Sequence, residues 1–382
     1  MKKMMTLAAG LLLVAGAAHA QTGTPSDPSA YSRAGTGNVL TDHLAGLPTN
    51  FPGSRAAWTE QPSFLQRAYA DYSSGRFLDA VTRLQGMVSK TPNSLPAHQM
   101  LADIYIHQNR IKEAIPEMEQ IVRLDPKDTA IRNNLGVAYL QTAQTDKAIQ
   151  FYQAAQTRSP KDPVLAYQLA LALEQGGKHA EAAQTFAQAS VLAPKDARAP
   201  LYAGMLFHQT GHDDEAVPFL QKALALGTTD PFSAHMVLAE IDSRAGKTDA
   251  ALLEYKQAAA AKPEDFNAAA NLGVLSQNAG KKADAVAAYR QALTLKAGTP
   301  LAQAQVQASL ASLLALDSPE EAATLLTQAA QNDPTNARYE DVLGQVYEKQ
   351  GKKDLAQAAY QKALTLDPHQ LEATQGLARL KK

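Results

Sequence analysis

The 382-residue chain has no cysteine, a single tryptophan and only 6% aromatic residues. Without cysteine it can form no disulfide, thiolate metal site, cysteine nucleophile or lipid-modified N-terminal cysteine. Charge is sparse and balanced: 36 Lys+Arg face 37 Asp+Glu, a formal net charge of −1. Such a balance lacks the basic footprint of a general nucleic-acid binder, so no nucleic-acid partner is expected. Long apolar runs are also scarce. The one sustained run, Leu7 to Ala17, is shorter than the roughly 20 residues a membrane-spanning helix needs. Lys2 and Lys3 precede it and Ala18-His19-Ala20 follows it, the pattern of a Sec-type signal peptide cleaved after Ala20. The expectation is a bacterial periplasmic or secreted protein with no integral membrane segment after cleavage.

Residues 21–58 read as a disordered linker. Gly, Pro, Ser and Thr supply 18 of its 38 residues, too little apolar surface to offset the entropy of ordering. The remainder is too long for one ordinary compact core, which leaves either two or three domains or one repeated unit.

What the chain does have is alanine, and the alanine is periodic. Units of 34 residues begin at Gln61, Leu95, Thr129, Pro163, Ala197, Phe232, Phe266, Gln303 and Ala337, with one extra residue after the fifth and three after the seventh. Position 20 is Ala80, Ala114, Ala148, Ala182, Ala216, Ala251, Ala285, Ala322 and Ala356. Position 8 is alanine or glycine in every unit but one, where Leu310 stands, and position 24 is bulky throughout, as in Tyr152, Phe186 and Tyr360. Proline at position 32, as in Pro92, Pro126 and Pro368, stops a helix. Positions 4, 7, 8 and 11 share one face of a first helix, and positions 20, 24 and 27 one face of a second. Glycine near position 15 (Gly75, Gly177, Gly211, Gly246, Gly280, Gly351) supplies the left-handed conformation that ends the first helix. Each unit is thus a helical hairpin.

This register resembles the tetratricopeptide repeat, most fully over Ala337 to Gln370, which carries Gly344, Tyr347, Ala356, Tyr360, Ala363 and Pro368 at the family's positions. The resemblance implies an all-α fold, a right-handed α-solenoid of nine antiparallel hairpins over residues 59–370, closed by a capping helix at 371–382. Asp71, Asp242 and Ser276 replace the aromatic expected at position 11, and Gln303 to Asn336 is the least regular unit.

No catalytic motif reaches useful strength. Gly246-Lys247-Thr248 resembles the end of a phosphate-binding loop, but the upstream glycine is replaced by Ile241, and the repeat itself accounts for Gly246 as an interhelical turn. His208 and His212 are spaced as metal ligands only within a continuous helix, and Gly211 ends the helix between them. The expectation is therefore a non-enzyme with no catalytic residue, metal or cofactor. Its work would be to bind a protein or peptide segment, with homo-oligomerisation left open.

The family geometry implies that positions 2, 5, 9, 12 and 13 of each first helix line a concave groove. In units one to six its apolar members are Leu65, Tyr69, Tyr72, Ile106, Val137, Leu140, Tyr167, Leu171, Leu201, Met205 and Met236. Beside them stand Gln99, Asp103, His107, Asn133, Gln141, Glu174, His208, Glu240 and Arg244. Units seven to nine turn polar there, with Gln277, Gln307, Asp341, Gln345 and Glu348. A contiguous exposed apolar stripe marks a binding surface; the alternative is burial of these side chains against the neighbouring repeat, above all at position 9. The basic set with which chaperone-binding relatives grip a C-terminal carboxylate is not reproduced, since Leu65, Gln99, Tyr167 and Leu201 stand where lysines belong. The leading expectation is a scaffold binding in this groove. The alternative is an assembly component of a secretion, pilus or outer-membrane machine acting through its convex face or by self-association.

Overall fold

The computed structural model describes residues 63–295 and 298–381. The expected leader at 1–20 and linker at 21–58 lie outside the described residues. Among those described, every regular element is a helix, and the helices fall into two compact units.

The first unit, residues 63–229, contains five hairpins. They are α1 (Ser63–Ser73) with α2 (Phe77–Lys90), α3 (Leu95–His107) with α4 (Ile111–Leu124), α5 (Thr129–Gln141) with α6 (Thr145–Arg158), α7 (Pro163–Gln175) with α8 (His179–Leu192), and α9 (Arg198–Gln209) with α10 (Asp213–Ala225). The second unit, residues 230–381, contains four more: α11 (Pro231–Arg244) with α12 (Thr248–Ala261), α13 (Phe266–Asn278) with α14 (Lys282–Thr294), α15 (Pro300–Leu314) with α16 (Pro319–Asn332), and α17 (Ala337–Lys349) with α18 (Lys353–Leu366). The short α19 (Leu371–Leu380) follows. We call the first helix of each hairpin A and the second B.

Within a unit each B helix packs against the A helix that follows it, and some A helices also touch the next A helix, as α1 touches α3 and α5 touches α7. All nine alanines at position 20 are completely buried, and the nine bulky residues at position 24, from Leu84 to Tyr360, are buried with them. The fit is tight enough to demand glycine at several A positions. A Cβ added to Gly273 would sit 2.5 Å from the Tyr289 ring, and one on Gly204 would lie 3.0 Å from the Ala216 carbonyl oxygen. The exception, Leu310, is itself buried.

The turns follow the same logic. Glycine at position 15 has positive φ wherever the sequence provides it. Where it does not, Asn109 (φ 56°) and Ala143 (φ 58°) adopt the same conformation in a Schellman-type exit from the A helix, whereas Asp317 at the same place in the eighth unit does not. Asp128, Asp162, Asp265 and Asn336 then cap the next A helix, their side chains accepting backbone N–H groups in its first turn. Each such cap is worth about 1 kcal/mol. At the far end, the Arg379 guanidinium of α19 donates to both Glu348 oxygens at 2.9 and 2.8 Å, and the Tyr360 hydroxyl donates to the same carboxylate at 2.6 Å. A Cβ on Gly376 would meet the Tyr360 ring at 2.4 Å, so α19 lies as close to the last hairpin as a further A helix would.

Two substitutions test this register. Ala182→Leu should overpack the fourth hairpin and cost roughly 1–3 kcal/mol, read as a lower melting temperature. Ala143→Gly should raise the melting temperature, relieving about 1 kcal/mol of left-handed strain at an alanine.

Candidate partner-binding face

The residues expected to form a groove do share a side of the A helices, but most of the apolar ones are not surface. Leu65, Val137, Leu140, Tyr167, Leu171, Leu201 and Met236 are all buried, which corrects the expectation of a continuous exposed apolar stripe. The physical reason is lateral packing. Tyr167 shows it best: its ring centroid lies 5.3 Å from that of Phe186 and 6.3 Å from that of Tyr202, and the Arg198 guanidinium covers it at 5.1 Å. These side chains are the floor of the face. What remains accessible on the first unit is Tyr69, Tyr72, Ile106 and Met205, all half-buried, among polar neighbours.

Those neighbours divide into groups already engaged and groups left open. The Tyr72 hydroxyl donates to Asp103 Oδ2 at 2.9 Å, and the exposed His107 lies 3.9 Å from the other oxygen of that carboxylate. This trio ties the first hairpin to the second. His208 Nδ1 is 2.7 Å from Asp213 Oδ1, whereas His212, beyond the turn at Gly211, approaches Thr210 Oγ1 at 3.1 Å. The two histidines therefore face different surroundings. Among the described residues no three His, Asp or Glu side chains converge as a metal ligand set. Gln99 and Gln141 are half-buried on the same side.

Two groups on this side stay open. The side-chain oxygen of Asn133 is buried without a hydrogen bond, although the backbone oxygen of the same residue accepts from the Tyr152 hydroxyl at 3.3 Å. Glu174 is half-buried in the last turn of α7, and its carboxylate makes no hydrogen bond or ion pair among the described residues. Burial pushes its carboxyl up to about 7.

In the second unit Met236 is buried, Glu240 half-buried and Arg244 exposed. The polar residues that follow are mostly satisfied internally. Gln277 accepts from the Tyr289 hydroxyl at 2.8 Å, and Gln307 accepts from Asn332 at 3.0 Å. Asp341 is buried, accepts from Gln345 at 2.9 Å, and is pushed up to about 6 by burial and by the like charge of Glu372. Position 6 was not part of the groove pattern, and the wholly buried Asn271 there leaves both side-chain polar atoms without a hydrogen bond. A polar cleft beside Arg338, lined also by Asp333, Asn336 and Asp367, is made of turn chemistry: these three acceptors bind Thr335, the Arg338 N–H and the His369 N–H. On the B helices the exposed apolar residues Leu78, Val191 and Leu253 stand singly on three different hairpins, whereas Leu355 and Leu366 share α18.

The Glu174 carboxyl holds its proton more tightly in the folded chain than in the unfolded one. Stability therefore falls as pH rises from the ordinary glutamate range to about 7, and levels off above it. Glu174→Gln should raise stability at pH 8 by on the order of 1–3 kcal/mol and leave it unchanged at pH 4, as thermal melts at the two pH values would record.

Comparison with known proteins places these features in a family. A tetratricopeptide repeat model matches residues 100–163, 167–231 and 237–300, and a second such model matches 342–370, together more than half of the chain. A family of unknown function, DUF6584, matches residues 60–115. No curated protein matches. Among solved structures, the C-terminal part of a TPR repeat-containing protein from Cytophaga hutchinsonii shares 17% identity at a TM-score of 0.50, over 64% of this chain and 98% of that one. A tetratricopeptide repeat protein from Parabacteroides merdae shares 15% at 0.42, over 75% and 99%. The APC/C hetero-tetramer Cut9-Hcn1 shares 18% at 0.37, over 84% of this chain but 63% of that one, so this chain spans less than two thirds of the matched chain. At such identities the likeness concerns the fold alone.

Proposed function

Because the chain belongs to the tetratricopeptide repeat family, we propose that it is a non-catalytic scaffold of the bacterial envelope that holds an extended or helical segment of another protein on the A-helix face of its first five hairpins. One observation carries this reading. Half-buried Tyr69, Tyr72, Ile106 and Met205 lie on the same face as the half-buried Glu174 carboxylate, an acceptor with no hydrogen-bond partner among the described residues. Aromatic and methionine side chains give contact area that adapts to a ligand, while open acceptors set its register. The buried leucines beneath hold the A helices in place and would lose packing, not binding, if cut back. The envelope setting rests on the leader-like start, Lys2 and Lys3 followed by the apolar run and Ala18-His19-Ala20.

The test removes only the accessible anchors. Tyr69→Ser with Met205→Ser should reduce recovery of a partner crosslinked in the native envelope about thirtyfold, as expected when two side chains worth about 1 kcal/mol each are lost, while circular dichroism stays helical. Tyr167 is left intact because it belongs to the core. Undiminished recovery would remove the face from consideration.

A further inference from the structure

Glu174 stands in an unusual position for a carboxylate. It is the penultimate residue of α7, where the carbonyl end of the helix dipole favours a cation and disfavours an anion. The backbone there already uses its own oxygens: the Glu174 carbonyl accepts from the Gly177 N–H at 2.9 Å, and the Leu140 carbonyl at the end of α5 accepts from Gln175 Nε2 at 3.3 Å. This second bond brings the C-terminal ends of α5 and α7 together, so two negative dipole ends and one carboxylate share a small area. Leu140 and Leu171 beside them are buried. The cations on the adjacent hairpin are held elsewhere, Arg198 donating to Asp196 Oδ2 at 2.7 Å and covering the Tyr167 ring, and Lys222 donating to the Ser190 carbonyl oxygen at 2.9 Å. Among the described residues nothing pairs with the Glu174 charge.

An unmatched negative site on a face otherwise fitted for binding has one natural complement. We propose that the bound segment carries a lysine or arginine flanked by apolar residues, and that its charged head meets the Glu174 carboxylate between the ends of α5 and α7. The inference rests on the partner-binding reading above and names the chemistry of the partner. A cation arriving there pairs with Glu174 and both helix ends at once, in a site that is partly desolvated and therefore less screened than a surface pair. The half-buried Tyr72, Ile106 and Met205 would receive the apolar flanks.

The experiment is selection of a phage-displayed random dodecapeptide library on the full chain, on Glu174→Gln, on Glu174→Lys, and on the Tyr69→Ser with Met205→Ser pair, each first confirmed helical by circular dichroism. Peptides retained by the wild type should be enriched in Lys and Arg over the input. Their affinity should fall about tenfold on Glu174→Gln, the loss of one charge-assisted hydrogen bond, and Glu174→Lys should retain acidic peptides instead. If wild type and Glu174→Gln retain pools of the same composition while the Tyr69 and Met205 pair loses them, the cation proposal falls and the binding face stands. If the pair retains the same peptides too, or if no peptide is enriched on the wild type, both fall.

Discussion

Closeness of two helices across positions 8, 20 and 24 is the contact on which every hairpin depends. In all but the eighth hairpin, where Leu310 stands, a methyl group or a hydrogen at position 8 facing the alanine at position 20 lets the A and B helices approach until a tyrosine, phenylalanine, leucine or methionine at position 24 fills the remaining space. The contact is self-contained, so it can be repeated without change. It also explains part of the composition: alanine recurs at nine buried positions where two helices meet, and position 24 is filled by a ring in five hairpins and by leucine or methionine in four. Since each hairpin meets mainly its neighbours, stability is spread along the chain as a sum of local interfaces, and a chain built this way needs no disulfide.

That same contact sets the geometry of the A-helix face. Within each unit, hairpins whose A and B helices run antiparallel, stacked in order, leave the A helices parallel, with their C-terminal ends along one border. Positions 12 and 13 are the last turns of those helices. Side chains there therefore sit in a field that no single residue creates, and one that rewards positive charge. In the last hairpin the chain answers the field itself, since Arg379 of α19 pairs with Glu348 at position 12 and holds its carboxyl below the usual glutamate range. In the fourth hairpin Glu174 occupies the same position with no such cation, and burial drives its carboxyl the other way. Two equivalent carboxylates with opposite shifts differ in what stands opposite them.

The hairpins, their register and most of their turns were legible because small, bulky and turn-forming residues recur at fixed intervals, and periodicity reports which side of a helix is buried. It does not report how deeply. Leu171 and Met205 occupy the same position in successive units, yet Leu171 is buried and Met205 half-exposed; lateral spacing of neighbouring A helices decides that, and no single unit encodes it. Ala143 was illegible for another reason: the backbone takes the left-handed turn there because the whole hairpin requires it, against the local preference of alanine. Pro116 and Pro218 likewise lie inside B helices that run through them, tertiary packing outweighing a lost backbone bond.

A half-buried carboxylate without a counter-charge costs stability, and a repeat architecture determines who bears that cost. In a compact core such a group would weaken the whole cooperative unit. Here the penalty is confined to the interfaces of one hairpin, with Ala182 and Phe186 still sealing α7 against α8 below it. The flanking hairpins keep their own contacts whether or not Glu174 is satisfied. Local bearing of strain is what would let such a face hold a charge for the proposed partner: the cost of leaving Glu174 unpaired would be recovered when a cation reached it, and until then the neighbouring repeats keep the helix ends in place.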